Sequence, residues 1–346
     1  MRAHNLNAIA ALTALSALPS VHSQSNASPG CSKSLPNALT PGGPTANFTL
    51  NSTLGGGERK YLVHLPSTYS PQNNKPAPLI LVFHGLGMRT TSMETNTQFS
   101  LPEMNPDHIA VYPEGLNRMW LGDPAAPNAT VVDDRRFVSD LLDSLEDTLC
   151  IDTARIYSAG FSNGGGLSGL LSCGPYTAPR IAAFGGVAAA DYTNSSLGYS
   201  LFEEEACDPG TRKRPIPYLD IHGDSDKVIA YNGDNSAFDV DGDGVPDANT
   251  MPIPQWVRER ADMNGCGPTA ANTTTQIEGG TVQRSAWMCD NNEDVVVGYF
   301  VQKLGHGWPS TTPQAGIFEE FRGGPTTWNA STVLLEWFAR WTLPVA

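Results

Sequence analysis

Residues 155–171 run Arg-Ile-Tyr-Ser-Ala-Gly-Phe-Ser-Asn-Gly-Gly-Gly-Leu-Ser-Gly-Leu-Leu, and this stretch decides the fold. Its first four residues predict a short strand, and the apolar residues after the glycine run predict a helix. Between them, Gly160 and Gly164 flank Ser162 in a Gly-x-Ser-x-Gly motif. Glycine at both places lets neighbouring backbone pass close to a strained turn that lifts the serine hydroxyl clear of a sheet. We therefore expect a strand, a sharp turn carrying a nucleophilic serine, and a helix.

Strand and helix patterns alternate on both sides of this stretch. A helix is indicated by apolar residues at a spacing of four, namely Phe137, Leu141, Leu145 and Leu149. Further strands are predicted at 59–65, 79–84, 108–112, 182–187, 218–221 and 295–300, and further helices at 256–263 and 331–341. Strands separated by helices pair in parallel, so we expect an α/β fold with a mostly parallel central sheet flanked by helices. It forms one domain over residues 58–346, after an extended arm at 24–57 and with a loop-rich insertion at about 191–249.

The composition excludes several classes of protein. Hydrophobic residues make up 40% of the chain and charged residues 16%, which excludes a disordered chain. The net charge of −14 argues against nucleic acid and anionic membranes as partners, because both select basic patches. We expect a monomer.

The first residues predict secretion. Met1-Arg2 gives a positive start, an apolar run of eleven residues extends from Ala8 to Leu18, and small residues precede a cleavage site after Ser23. Eleven residues are too few to cross a bilayer, which needs about 20. Seven Asn-x-Ser/Thr sites support a glycoprotein, at Asn26, Asn47, Asn51, Asn128, Asn194, Asn272 and Asn329.

Six cysteines without Cys-x-x-Cys spacing favour disulfides over zinc. Fifteen connectivities exist for six cysteines. We expect Cys150–Cys173 and Cys266–Cys289, with Cys31–Cys207 assigned by elimination.

A serine nucleophile needs a base and an acid that orients the base. In the α/β-hydrolase order, the acid and then the histidine follow the serine, and only two histidines lie after Ser162. His222 opens a loop directly after a predicted strand, and this loop supplies Asp226 as the acid, with Asp224 as the alternative. His306 is then the base.

An oxyanion hole requires backbone N–H groups aimed at the developing negative oxygen. Asn163, directly after the serine, supplies one, and Leu86 in the loop after the strand at 79–84 supplies the other. We expect His84 in that loop to be structural. Trp120 and Trp308 are candidates for stacking on the substrate, and the alternative for both is ordinary core packing.

An acidic motif lies in the insertion. Carboxylates at alternate positions with a glycine in sixth place resemble a calcium-binding loop, at Asp239, Asp241, Asp243 and Asp247. Thr250 stands where such a loop has its bidentate glutamate. The sequence leaves open a structural calcium ion and an acidic turn without metal.

These motifs together resemble the secreted esterases of carbohydrate esterase family 1, including feruloyl esterases and polyhydroxybutyrate depolymerases. The resemblance covers roughly Cys31 to the C-terminus and rests on Phe83-His-Gly85, Tyr112-Pro-Glu-Gly115, Val132-Asp-Asp134, Ala159–Gly165, His222–Asp226 and Gly305–Pro309. It implies the triad Ser162, Asp226 and His306, no cofactor for catalysis, and a phenolic ester on plant cell-wall polysaccharide such as feruloylated arabinoxylan. The alternatives are a polyhydroxybutyrate depolymerase, an acetyl xylan esterase, and a catalytically dead carbohydrate-binding protein.

Overall fold

The computed structural model describes residues 26–70, 75–197, 214–235, 249–266, 272–289 and 291–344. Within these, ten strands form one sheet and two short strands form a separate pair. The strands are β1 Ala46–Ser52, β2 Gly57–His64, β3 Ala77–Phe83, β4 Ile109–Pro113, β5 Ile151–Phe161, β6 Ala183–Val187, β7 Tyr218–Gly223, β8 Asp234–Asn235, β9 Asn249–Thr250, β10 Asn272–Ile277, β11 Val282–Cys289 and β12 Asn292–Val301. The helices are α1 Thr90–Thr97, α2 Asp134–Thr148, α3 Asn163–Leu171, α4 Ile253–Met263, α5 Ile317–Arg322 and α6 Ala330–Phe338.

The large sheet has the order β1-β2-β4-β3-β5-β6-β7-β12-β11-β10. Its six middle strands, from β4 to β12, pair in parallel. Antiparallel strands extend both edges, with β2 and β1 on one side and β11 and β10 on the other. The predicted α/β fold with a parallel centre is confirmed, and the carboxyl ends of the parallel strands meet at one edge of the sheet.

The central strand β3 shows how the layers form. All of its side chains from Leu79 to Phe83 are buried, and alternate residues enter different hydrophobic clusters. Leu79 and Leu81 pack in the cluster that holds the apolar face of α2, whereas Ile80 and Val82 pack in the cluster that holds α6. Helices therefore cover both faces of the sheet, as its uninterrupted apolar strands require.

The segment that we predicted as an extended arm contributes an edge strand. Ala46–Ser52 pairs along its whole length with β2. Its polar composition conceals this strand, because its outward residues face solvent and only alternate positions are buried or half-buried. Strand β7 confirms the strand predicted at 218–221, which lies inside the predicted loop-rich insertion.

Two of the three predicted disulfides are wrong. Cys31 is bonded to Cys150, so neither Cys150–Cys173 nor Cys31–Cys207 forms, while Cys266–Cys289 is confirmed. The reason is that the N-terminal segment docks on the start of β5, where the Ser28 amide donates to the Ile151 carbonyl. Cys173 also takes part in a disulfide.

Both ends of the described chain contact β5. The Thr153 amide donates to the Asn26 carbonyl at 2.8 Å, and the Leu343 amide donates to the Ala154 carbonyl at 2.9 Å. The strand that leads to Ser162 is thus held by both ends of the described chain. Among the described residues, no helix combines the length and the apolar character that crossing a bilayer requires.

Candidate active site

Ser162 occupies a strained turn between β5 and α3, as the sequence predicted. Its backbone has φ 54° and ψ −122°, a region that residues with a side chain rarely adopt. A Cβ on Gly160 would lie 2.0 Å from the Gly164 carbonyl oxygen, and a Cβ on Gly164 would lie 2.4 Å from the Phe83 carbonyl oxygen. Both positions therefore exclude any residue larger than glycine, and the turn places the serine at the carboxyl edge of the sheet.

A histidine and a carboxylate meet at the same edge. His306 Nδ1 lies 2.8 Å from Asp226 Oδ2. Asp226 follows β7 and His306 follows β12, and these strands are parallel neighbours, so their carboxyl ends bring the two loops together. The other carboxylate oxygen, Oδ1, accepts the backbone N–H groups of Val228 and Ile229, each at 2.8 Å.

Asp226 is ionised in this environment. Burial disfavours its charge, but the electrostatic interaction with His306 and the hydrogen bonds from His222 and His306 outweigh burial and lower its pKa below the usual value. An ionised carboxylate only accepts hydrogen bonds, so Nδ1 of His306 carries the donated proton. Nε2 of His306 is then the nitrogen that can accept a proton from another group.

The alternative acid, Asp224, is engaged elsewhere. Its Oδ1 accepts the backbone N–H of Lys303 at 2.7 Å and the hydroxyl of Ser225 at 2.8 Å, both at the exposed surface. Asp224 therefore fastens the loop after β7 to the end of β12, whereas Asp226 faces the imidazole.

The serine turn packs next to His306. The ring of Phe161, the residue before the serine, lies with its centroid 4.8 Å from that of the His306 imidazole. Ser162 and His306 are each 7% exposed, so both side chains are largely shielded from solvent. The structure thus places His306 against Asp226 and against Phe161, the residue that precedes Ser162.

The loop after β3 forms a tight turn against the serine. The Met88 amide donates to the Gly85 carbonyl at 3.1 Å, and Gly87 has φ 72°, as the third residue of a type II turn requires. A Cβ on Gly85 would lie 3.2 Å from the Ser162 Cβ. Leu86, predicted to supply an oxyanion N–H, is the second residue of this turn, and Asn163 is the first residue of α3.

His84 is structural, as predicted. Its Nε2 accepts the Gly115 N–H at 2.9 Å, so its Nδ1 carries the proton and donates to the Gly85 carbonyl at 2.8 Å. Burial lowers the pKa of His84 to about 4, which keeps the ring neutral. The imidazole therefore holds the turn that carries Leu86.

Neither candidate tryptophan presents a ring to a substrate, so the stacking predicted for Trp120 and Trp308 is wrong. Both rings are buried, and both are hydrogen-bonded inside the protein. The indole N–H of Trp120 donates to the His84 carbonyl, and that of Trp308 donates to the hydroxyl of Ser331. Trp120 also donates its backbone N–H to the Asn163 side chain at 2.8 Å. Trp120 supports the turn that carries Leu86, and Trp308 supports the loop that carries His306.

Arg322 was not predicted from the sequence, yet it holds the loop after His306. Its guanidinium is fully buried and donates to the carbonyls of Trp308, Ser310 and Thr312. Glu319 balances its charge at 2.6 Å. A lone arginine in a short helix carries no local signal of this contact, because its partners come from a loop earlier in the chain.

The acidic motif at Asp239, Asp241, Asp243 and Asp247 lies outside the described residues. Elsewhere in the part of the chain that the structure describes, no cluster of His, Cys, Asp or Glu side chains is grouped to hold a metal ion.

Relatives of known name indicate the family. No protein-family model matches the chain. Feruloyl esterase D of Neurospora crassa is 31% identical over 302 residues, covering 82% of this chain and 84% of that protein. Feruloyl esterase C of Emericella nidulans is 30% identical over 285 residues, covering 81% and 84%. Feruloyl esterase B of Piromyces equi is 30% identical over 220 residues, and this match spans 37% of that protein.

Solved structures show the same fold. The acetyl xylan esterase from Aspergillus awamori aligns with a TM-score of 0.54 at 13% identity, covering 86% of this chain and 99% of that one. An S-formylglutathione hydrolase from Agrobacterium tumefaciens aligns with a TM-score of 0.51 at 12% identity, covering 87% and 96%. Ser162 lies in a strained turn, and Asp226 and His306 follow it along the chain and contact each other. Two feruloyl esterases of 30% identity or more are matched over 84% of their length. The chain therefore belongs to the feruloyl esterase family of carboxylic ester hydrolases.

Proposed function

We propose that this protein is a secreted feruloyl esterase that releases ferulic acid from plant cell-wall polysaccharide, such as arabinoxylan. The observation that supports this proposal most directly is the 2.8 Å contact between His306 Nδ1 and Asp226 Oδ2. Both residues lie on loops at the sheet edge that also holds the strained serine. Membership of the feruloyl esterase family supports the aromatic acyl group.

In the proposed mechanism, the Ser162 hydroxyl oxygen attacks the ester carbonyl carbon while Nε2 of His306 takes the hydroxyl proton. The carbonyl oxygen gains the negative charge and accepts the backbone N–H groups of Leu86 and Asn163. The carbon–oxygen bond to the sugar then breaks, and the protonated His306 gives its proton to the leaving oxygen.

Water completes the cycle. It attacks the feruloyl-serine carbonyl, and His306 takes one of its protons and returns it to the serine oxygen as ferulic acid leaves. Asp226 keeps its negative charge throughout and stabilises the imidazolium that forms twice in each turnover. Hydroxyl, imidazole and carboxylate supply every step, so the mechanism uses no cofactor.

A cavity offers a place for the sugar part of the substrate. It has a volume of about 310 Å³ and lies between α1 and the loop after His306, lined among others by Glu94, Asn96, Gln98, Ser100, Thr312 and Gln314. One wall of the cavity is formed by α1, which follows the turn that carries Leu86. The other wall is formed by the loop that follows His306. Amide, hydroxyl and carboxylate groups are the partners that sugar hydroxyls take.

The predicted signal peptide, the disulfides and the glycosylation motifs support secretion, and we propose that the mature chain is a monomer. The signal peptide and the candidate calcium ligands lie outside the described residues.

Hydrolysis of a panel tests the proposal. Purified protein and its Ser162→Ala variant would be assayed on methyl ferulate, acetylated xylan and a hydroxybutyrate oligomer. We expect ferulate release by the wild type and a loss on the order of 10⁶-fold in kcat in the variant. Activity on another ester alone would replace the substrate assignment and keep the triad. Inactivity on all three, with no labelling of Ser162 by a phosphonate probe, would favour a binding protein on a dead scaffold.

A further inference from the structure

Asp226 contacts a second imidazole that the proposed mechanism does not use. His222, in β7, lies with its Nε2 3.3 Å from Asp226 Oδ2, the same oxygen that His306 contacts. His222 is fully buried. One carboxylate oxygen thus lies between two imidazoles, while the other is occupied by two backbone N–H groups.

The hydrogen on His222 can be assigned from its partners. Its Nε2 also lies 2.8 Å from the Ile229 carbonyl oxygen, which can only accept. Nε2 therefore carries a hydrogen and shares it between this carbonyl and Asp226. Ile229 in turn donates its N–H to Asp226 Oδ1, so His222 and Asp226 together close the short loop after β7.

The surroundings of His222 are acidic, although its buried Nδ1 has no hydrogen-bond partner among the described residues. Asp220 and Asp226 face it from its own strand and from the loop after it, and the Tyr231 ring centroid lies 6.1 Å from that of the imidazole. Asp191 faces it from the segment after β6, and Tyr218 and Arg260 lie behind these groups. Burial alone would lower the pKa of His222, but the Asp226 hydrogen bond and the Asp226 and Asp220 charges raise it to about 9. Burial raises the pKa of Asp220 to about 6 and that of Asp191 well above its usual value.

We propose that His222 is a positioning residue, whose protonated imidazole aims Asp226 Oδ2 at His306 Nδ1 and offsets part of the carboxylate's charge. This inference rests on the proposed function, in which Asp226 and His306 are the acid and the base. The two imidazoles share one oxygen, so a positive His222 lies close enough to His306 to oppose its protonation. The base then stays neutral, and active, to lower pH than an isolated carboxylate–histidine pair would allow.

The His222→Gln variant separates charge from hydrogen bonding. Its amide retains an N–H donor near the position of Nε2 but carries no charge. Without the cation, Asp226 favours imidazolium at His306 more strongly, so the acid limb of kcat/KM should move up by roughly one pH unit. Activity should fall about tenfold at pH 5 and by less than about threefold at pH 8. His64→Gln makes the same chemical change on β2, outside the site, and should leave the profile unmoved.

The experiment is a pH profile of kcat/KM from pH 4 to 9 on 4-nitrophenyl acetate, with the melting temperature recorded for each variant. This substrate makes the result independent of the acyl group, and loss of turnover in Ser162→Ala tests the triad separately. An acid limb that stays in place in His222→Gln would overturn the proposal, whether or not the overall rate falls. If that variant fails to fold, ¹⁵N spectra of the wild type decide, because a neutral His222 ring at pH 7 would also overturn it.

Discussion

Replacing Asp226 by asparagine is the sharpest test of the site, because the structure shows what each orientation of the amide would meet. With the amide nitrogen at the Oδ2 position, it would face the N–H groups of His306 and His222. His306 then keeps a partner only by moving its proton to Nε2, and it can no longer accept the Ser162 proton. With the nitrogen at Oδ1, it would face the backbone N–H groups of Val228 and Ile229 instead.

The magnitude follows from these two orientations. The first should lower kcat on the order of 10⁴-fold, the loss caused by the wrong histidine tautomer in a triad, which equals about 5.5 kcal/mol in the barrier. The second leaves the half-buried N–H of Val228 and the buried N–H of Ile229 without an acceptor, at up to about 1–3 kcal/mol of stability each. The variant should therefore lose activity, stability or both.

The assay is kcat on methyl ferulate together with the free energy of unfolding in urea. Asp224→Asn is the matched control, because the same change there affects only exposed contacts to Lys303 and Ser225, and it should stay within about twofold of wild type. The reasoning is refuted if Asp226→Asn keeps a tenth of the activity at full stability, or if Asp224→Asn loses as much.

Four further predictions concern the supports of the site and the stability of the fold. The double variant Cys31→Ser/Cys150→Ser removes a disulfide between residues 119 positions apart, and its free energy of unfolding in urea should be about 2–5 kcal/mol lower than that of wild type. Arg322→Met should lower kcat at least tenfold by freeing the loop after His306, whereas Arg340→Met, at an exposed ion pair, should not. Burial lowers the pKa of His84 to about 4, so this residue binds a proton in the unfolded chain at a higher pH than in the folded protein; it should contribute a loss of roughly 3 kcal/mol of unfolding free energy from pH 6.5 to 4, and His84→Gln should remove that contribution. Gln98→Ala should raise KM about fivefold for a feruloylated xylo-oligosaccharide but not for methyl ferulate, and exposed Thr275→Ala should change neither.

The parts of the site that depend on local sterics and chain order were predictable from the sequence. Gly160 and Gly164 are required because backbone atoms occupy the space that a side chain would need. The Gly-x-Ser-x-Gly motif states this requirement directly in the sequence. The geometry agrees with the predicted pairing of Asp226 with His306, because the carboxyl ends of parallel strands necessarily share an edge. The choice between Asp224 and Asp226 required coordinates, since both lie on the same short loop.

Features that depend on distant packing were not predictable. Trp308 lies two residues from His306, but it is buried because it packs against Phe99 and donates to Ser331 of α6. The local sequence specifies neither contact. The partner of Cys150 depended on where the N-terminal segment docks. Strand β10 has a threonine-rich, exposed sequence without apolar alternation, so only its pairing with β11 reveals it.

The docking of both described chain ends on β5 has a consequence for engineering. Asn26 and Leu343 bond to consecutive residues, Thr153 and Ala154, whose Cα atoms are about 3.8 Å apart. A peptide linker between Leu343 and Asn26 would join the two ends, and new termini could be opened at the exposed turn of Gly279 and Gly280 between β10 and β11. Such a circular permutant would keep every strand pair of the sheet while moving both termini away from the strand that carries the nucleophile.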